Sequence, residues 1–367
     1  MPYAHITGWG MSVPDSVLTN DDLSKMVETN DEWIRDRTGI RERHIAHENQ
    51  FPSTLGVEAS IKALEVANVR PTDIDLIICS TSSPEYIFPA TACLIQDQLG
   101  ASKAGAFDLL AACSGFIYAV NMAAQAIRSG SIKTALVIGA ETLTRFVDWS
   151  DRNTCVLFGD GAGAFVLQAS DRPGGVLSAA LHSDGSGGDL LSVPAGGSRA
   201  PATEETVRER KHYIKMDGKE VFRFATRAMG HATKETLDLA GLTTSDIQWI
   251  IPHQANYRII ETAAKYLKMP LEKFIINVDR YGNTSTASIP IATVEAVDKG
   301  LIKQGDKIVL VGFGAGLTWG ALTAEWTGPL PVEHKVYPEH YRVWARIRSV
   351  FNRLIRIIEG LIWGRNS

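Results

Sequence analysis

Part of this chain occurs twice, and that constrains its fold more than any other feature. Residues 67–78 (ANVRPTDIDLII) match residues 240–251 (AGLTTSDIQWII), each lying 173 positions after its counterpart. The same offset carries residues 136–139 (LVIG) onto residues 309–312 (VLVG). Two separated stretches sharing one offset argue for duplication rather than chance. Helix and strand patterns alternate around them: a helix over about 54–67, a strand at 76–79 and another at 135–139. Each copy reads as an α/β unit with a largely buried sheet. Two such units packed together form a layered α/β body with its active site where they meet. The expected division is a first half at 1–172, a second at 173–327 and an extension at 328–367. The segment 183–210, rich in Gly, Ser and charge, reads as a surface loop covering an entrance.

The 367 residues leave room for two such units. With 45% hydrophobic and 21% charged residues, the composition is that of a soluble globular protein. A net charge of −4 supplies no basic field for nucleic acid. Cys79, Cys93, Cys113 and Cys155 show no CxxC spacing, so neither a metal site nor a disulfide framework is expected. A reducing cytoplasm is then the simplest setting. The first residues lack a secretory signal pattern, and no run of roughly 18 apolar residues suggests a spanning helix.

Candidate chemistry begins at residues 106–116, AFDLLAACSGF. A short apolar segment reads as a buried strand, and Phe116, Ile117, Val120, Ala123 and Ile127 read as an apolar helix after it. Cys113 falls at the first turn of that helix, where free N–H groups and the helix dipole lower a thiol pKa toward the thiolate. A buried structural cysteine is the plainer alternative. In the second half a strand at 249–251 runs into PHQAN, placing His253 at a strand C-terminus, where catalytic groups of α/β sheets collect. Asn283, in YGNTST, opens another apolar helix and reads equally as a turn residue. The glycine-rich run GFGAGLTWG at 312–320 allows backbone N–H groups close to a ligand. FGDGAG at 158–163 is no phosphate loop, since a strand rather than a Lys-Ser/Thr helix start follows it; it reads as a tight turn. DEWIRDRTGIRER at 31–43 gathers arginines around Trp33, either a solvated surface or an anion site with an aromatic platform.

Taken in order, ACSGF, HQAN, GNTS and GFGAGLTWG resemble the beta-ketoacyl-[acyl-carrier-protein] synthase III family of thiolase-fold condensing enzymes over about residues 3–327. The resemblance implies an α/β thiolase-like layered fold and a catalytic set of Cys113, His253 and Asn283. It further implies an oxyanion hole from Cys113, Gly314, Ala315 and Gly316. Trp33, Arg37, Thr38 and Arg152 match positions that hold coenzyme A. Arg258, with Gln254 and Arg223 as further candidates, lies where the family meets the acidic carrier protein. Phe88 matches the position that limits primer size across a dimer interface. The implied reaction is decarboxylative Claisen condensation of an acyl-CoA primer, acetyl-CoA by default, with malonyl-acyl carrier protein, initiating fatty-acid synthesis in a cytoplasmic homodimer. CoA thioesters are substrates, and no cofactor or metal is implied. A relative priming polyketide synthesis, or transferring the acyl group elsewhere, would carry the same three residues; a silent scaffold would have no need of them. Ala315 replaces a glycine common in the family, adding a methyl and disfavouring positive φ.

The extension has its own pattern. Pro329, Pro331 and Pro338 mark a linker, and Trp344, Ile347, Phe351, Leu354, Ile358 and Leu361 then recur at helical spacing. Arg342, Arg346, Arg353 and Arg356 fall largely elsewhere on the helix. From Glu333 onward seven Lys/Arg stand against three Asp/Glu, a local +4 in a chain of −4. Docking or pairing of the apolar stripe is one expectation; contact of residues 341–363 with a membrane surface is the other.

Overall fold

The repeated sequence folds as a repeated sheet. The computed structural model describes residues 1–330 and 335–362. In the first half, β1 (Tyr3–Ser12), β2 (Leu76–Ser80), β3 (Gly105–Leu109), β4 (Thr134–Glu141) and β5 (Gly161–Ser170) form a sheet of order β1-β5-β4-β2-β3. In the second, β6 (Gly175–Ser183), β7 (Trp249–Pro252), β8 (Lys307–Gly314) and β9 (Thr318–Glu325) lie in the order β6-β9-β8-β7. Directions agree as well: β2 is parallel to β4 as β7 is to β8, and the remaining pairs of the shared pattern are antiparallel. The place of β3 is reduced in the second sheet to an isolated bridge, Ile250 with Phe274.

After α1 (Asp31–Thr38), which carries Trp33 and Arg37, the longer helices separate and cover the sheets. Between them lie α4 (Gly115–Arg128) and α7 (Ser288–Asp298), apolar nearly all round because both faces are buried. The outer face of the first sheet is covered by α2 (Pro52–Ala67) and α3 (Thr91–Leu99). The second is covered by α5 (Gly218–Leu239) and α6 (Tyr257–Leu267). This is the layered arrangement of two βα halves expected from the duplication. Among the described residues no helix is long and apolar enough to cross a membrane.

The symmetry is closest at the two helix entries. Short 3-10 turns at Ala112–Ser114 and Ser285–Ala287 precede α4 and α7. Each opens on a non-glycine residue in the left-handed region, Ala112 at φ 45° and Ser285 at φ 49°. Such conformations cost energy and persist where packing overdetermines them.

Two expectations are corrected. The strand before Cys113 is not buried: β3 is the sheet edge, paired only with β2, and Phe107 is 40% exposed. The apolar stripe of the extension is not docked on its own chain either. The extension forms α8 (Pro338–Ile362), which meets α3 through Ala345, packed on Gly100, while the stripe faces outward. Pro331 and Trp363 of the expected linker and membrane-contact segment lie outside the described residues.

The approach of the halves can be tested at Gly139 in β4. A Cβ there would stand 2.3 Å from the Thr286 carbonyl oxygen. Gly139→Ala should lower unfolding free energy by about 2–3 kcal/mol in a urea titration. At Gly241 (φ 67°, open surroundings) the same change should cost only about 1 kcal/mol, from backbone strain. The reverse ranking would sink this account of the packing.

Candidate active site

Cys113, His253 and Asn283, spread over 170 residues of sequence, line one cavity of about 90 Å³ between the halves. Each is held by its own element. His253 follows the last residue of β7, and its N–H donates to Val311 O of β8 (2.8 Å). Its Nδ1 lies 2.7 Å from Ser288 Oγ at the start of α7. Burial pushes the imidazole pKa down to about 3, so the ring is neutral. Its Nε2 is buried with no hydrogen-bond partner, the mark of an atom waiting for a ligand. The Ser288 hydroxyl can donate to Nδ1 or accept from it. Nε2 is therefore able to carry a proton for donation or to take one up.

Asn283 is fixed by the FGDG turn. Its N–H donates to Leu157 O (2.8 Å) and its carbonyl accepts from Gly159 N–H (3.0 Å). Its side-chain Oδ1 accepts from Ser285 N–H (2.9 Å), so the end it offers the cavity is the Nδ2 donor. Asn283 is thus a turn-forming residue and a candidate catalytic donor together. The turn was legible as a turn; its service to Asn283 was not, because the bridge spans over a hundred residues. Asp160 stiffens it, accepting from Ala46 N–H (2.8 Å), Thr144 N–H (3.0 Å) and Thr144 Oγ1 (2.6 Å).

Cys113 stands at the junction of two chambers. It lines the cavity just described and a larger one of about 400 Å³ walled by Leu143, Phe146, Leu191 and Ile214. Leu191 belongs to the 183–210 segment, which therefore forms site wall as well as surface. The thiol differs from expectation: burial raises its pKa to about 12, with hydrogen bonding from Ser285 opposing the rise. Desolvation outweighs the helix terminus, so the resting group is a thiol that shares its cavity with a neutral imidazole rather than half of an ion pair.

The glycine run divides between the chambers. A Cβ on Gly314 would lie 2.6 Å from Cys113 N, so only glycine lets the end of β8 come this close. Gly314 shares the first cavity with His253 and Asn283, whereas Ala315 and Gly316 line the second. Ala315 is not among the positive-φ residues, so its methyl needs no strained backbone; Gly316 takes φ 142°. Among the described residues no cluster of three His, Cys, Asp or Glu could hold a metal ion.

The other expected positions fare unequally. Trp33, Arg37 and Arg152 come together: the two guanidinium carbons sit 5.2 and 5.3 Å from the centre of the indole ring. Asn256, unforeseen in the sequence, links this cluster to the first cavity, which it lines while donating to Arg37 O (2.9 Å). Thr38 is corrected: it is buried, donates to Ile34 O (2.6 Å) and accepts from Ile40 N–H (3.0 Å), leaving nothing for coenzyme A. Arg43 is likewise structural, buried and donating to Leu18 O, Asn20 Oδ1 and Val156 O. Gln254 is corrected as a carrier-protein contact. It is buried, its Nε2 donates to Pro252 O and Ile275 O, and its Oε1 accepts from Asn277 and Val278 N–H. Arg258 is exposed, with its guanidinium 5.8 Å from the ring of Phe222, which lines the first cavity. Arg223 is exposed and paired with Glu220 (3.1 Å). Phe88 is 84% exposed and lines neither chamber of its own chain.

The raised thiol pKa predicts how Cys113 alkylates. Iodoacetamide inactivation should accelerate about tenfold per pH unit from pH 7 to 9, because the thiolate fraction grows toward a pKa near 12. A plateau near neutrality would show a stable thiolate and overturn the assignment.

Known proteins share this sequence and fold. Residues 107–185 match the family model for 3-oxoacyl-[acyl-carrier-protein] synthase III, and residues 237–326 match the model for its C-terminal part. The beta-ketoacyl-[acyl-carrier-protein] synthase III of Roseiflexus sp. (strain RS-1) is 51% identical over 325 residues, 89% of this chain and 99% of the relative. The crystal structure of 3-oxoacyl-[acyl-carrier-protein] synthase III from Aquifex aeolicus VF5 superposes with a TM-score of 0.81 at 46% identity, covering 88% of this chain and 99% of the other. The priming beta-ketosynthase of the R1128 polyketide pathway gives a TM-score of 0.83 at 36% identity, covering 89% and 97%. With half its residues identical across nearly the whole of such a relative, this chain belongs to the beta-ketoacyl-[acyl-carrier-protein] synthase III family.

Proposed function

We propose that this protein condenses an acyl-CoA primer with malonyl-acyl carrier protein to give 3-oxoacyl-acyl carrier protein, the first carbon–carbon bond of fatty-acid synthesis. The observation that carries the reading is the position of Cys113 between a chamber into which His253 and Asn283 reach and a larger, mainly apolar one suited to an acyl chain. The Cys113 sulfur attacks the thioester carbonyl of acyl-CoA, its proton passing to His253 Nε2 and on to the departing CoA sulfur. N–H groups of Cys113 and of the Gly314–Ala315–Gly316 loop receive the carbonyl oxygen as it becomes an oxyanion. The products of this half-reaction are acyl-Cys113 and free CoA. The primer's hydrocarbon end occupies the chamber of Leu143, Phe146 and Ile214.

The malonyl group of malonyl-acyl carrier protein then enters the chamber of His253 and Asn283. As its carboxylate leaves as CO2, negative charge grows on the thioester oxygen, where Asn283 Nδ2–H donates to it together with His253 Nε2–H, the ring having changed tautomer after the first half-reaction so that Nδ1 now accepts from the Ser288 hydroxyl. The neutral imidazole suits this task, since an imidazolium buried without a counter-charge would be costly. The enolate carbon attacks the acyl-Cys113 carbonyl; collapse of the adduct breaks the carbon–sulfur bond, releases 3-oxoacyl-acyl carrier protein and leaves a Cys113 thiolate that takes up one proton from solvent to restore the thiol.

Coenzyme A enters past Trp33, Arg37 and Arg152, whose flat ring and paired guanidiniums suit an adenine and its phosphates. Exposed Arg258 and Arg223 suit an acidic carrier protein. We assign a homodimer, in which the exposed Tyr86, Ile87 and Phe88 and the unpaired edge of β3 find cover, Phe88 closing the partner's primer chamber. The four free cysteines suit a reducing cytoplasm. The likeness to a polyketide-priming synthase supports a second reading with the same chemistry and a different primer. Turnover of acetyl-CoA against longer and branched acyl-CoA with malonyl-acyl carrier protein separates the two.

Two substitutions test the roles. Asn283→Ala should lower condensation by about 100- to 1,000-fold while mass spectrometry still finds Cys113 acylated, because one donor at such a site supplies about 2.7–4 kcal/mol. Equal loss of both half-reactions would remove its enolate role. Trp33→Ala should raise KM for acyl-CoA about tenfold yet leave acylation by a short N-acetylcysteamine thioester unchanged, since only the former carries adenine. Equal effects on both donors would place Trp33 outside the CoA site.

A further inference from the structure

The extension is not needed by the chemistry above, and its helix is oriented in an informative way. Along α8, Trp344, Ile347, Phe351, Leu354, Ile358 and Leu361 are each more than half exposed, from 51% at Leu354 to 79% at Leu361. Val343, Val350 and Ile357 widen the stripe and are 60%, 56% and 60% exposed. At 3.6 residues per turn these nine side chains cover about 140° of the helix. The opposite side is the docked one. Ala345 is 4% exposed against Gly100, and Arg348 lies 3.9 Å from Asp97 of α3. The body of the protein thus holds α8 by its small and polar side and turns the apolar face away.

Charge decides what that face suits. Arg342, Arg346 and Arg353 run along one border of the apolar arc, and Arg348 lies near the other. The acids of α8, Glu339 and Glu359, sit near its two ends. Two copies of α8 laid face to face would bring these arginine borders together, and the arc is broader than a two-helix seam. A basic border around a broad apolar face containing Trp and Phe matches instead a helix lying in the plane of an anionic bilayer surface. There the aromatic and aliphatic groups enter the acyl boundary and the arginines meet phosphates.

We propose that α8 binds the full-length protein to anionic phospholipid membranes as an in-plane helix. The test is flotation of the full chain with vesicles of phosphatidylcholine alone and of phosphatidylcholine containing about one-quarter phosphatidylglycerol, at low salt and near 0.5 M NaCl. The protein should float with the anionic vesicles only and be released by salt. Phe351→Glu with Leu354→Glu should abolish flotation. Arg342→Gln, Arg346→Gln and Arg353→Gln together should lower partitioning about a hundredfold while keeping the apolar face. Both variants should retain condensing activity in solution, showing that the body is folded. Failure of the full chain to float with either vesicle overturns the proposal, as does undiminished flotation of the Phe351→Glu, Leu354→Glu variant. Light scattering supplies the remaining outcome: an assembly of the full chain that this variant breaks, without any vesicle binding, would make a second copy the occupant and overturn it equally.

Discussion

Where β8 ends, the absence of a side chain at Gly314 lets the second half's main chain come against the Cys113 turn of the first; a methyl group would stand 2.6 Å from Cys113 N. That contact brings Cys113 and Gly314 to the cavity that also holds His253 and Asn283. It also explains why the duplicated fold carries one site rather than two. The position 173 residues before Gly314 is Glu141, and the counterpart of Cys113 is Thr286. Instead of open space, the first half offers a buried carboxylate, which accepts from Ser83 Oγ and from Thr286 Oγ1 (2.9 Å). One copy of the motif is tied off by hydrogen bonds and the other is left open for substrate.

The polar groups around the cavity divide into bound and free ends. Asn283 accepts from Ser285 N–H through its side-chain Oδ1 and keeps the Nδ2 hydrogens; His253 engages Ser288 through Nδ1 and keeps Nε2. Buried polar atoms without partners are costly, so a folded chain that retains one at the centre of its site has set it aside for a ligand. Burial also fixes the protonation states. It holds the imidazole neutral and the thiol protonated, which favours donation to a developing enolate over permanent charge separation.

Much of the site was legible in residue patterns. The strand-to-turn placement of His253, the helix entry at Cys113 and the glycine run all stand where local rules put them, because each depends on neighbours within one turn or strand. The misreadings share a cause. Thr38 and Gln254 sit in the right segments, but their side chains are consumed by hydrogen bonds to Ile34 and Ile40, and to Pro252, Ile275, Asn277 and Val278, partners that spacing does not reveal. The thiol was misjudged because helix position is local, whereas desolvation depends on everything packed around the sulfur. Ser288 and Asn256 escaped notice since serine and asparagine serve so many turns and caps.

By itself, the sequence determined the duplication, the alternation of helix and strand, the family and the three side chains that meet in the cavity, since periodicity and motif are properties of neighbouring residues. Tertiary structure alone decided which copy is open, which atoms remain unpaired, how Cys113 divides two chambers, and which face of α8 is held. Those depend on distances between segments far apart in the chain, where burial and a competing hydrogen-bond partner outweigh any local preference.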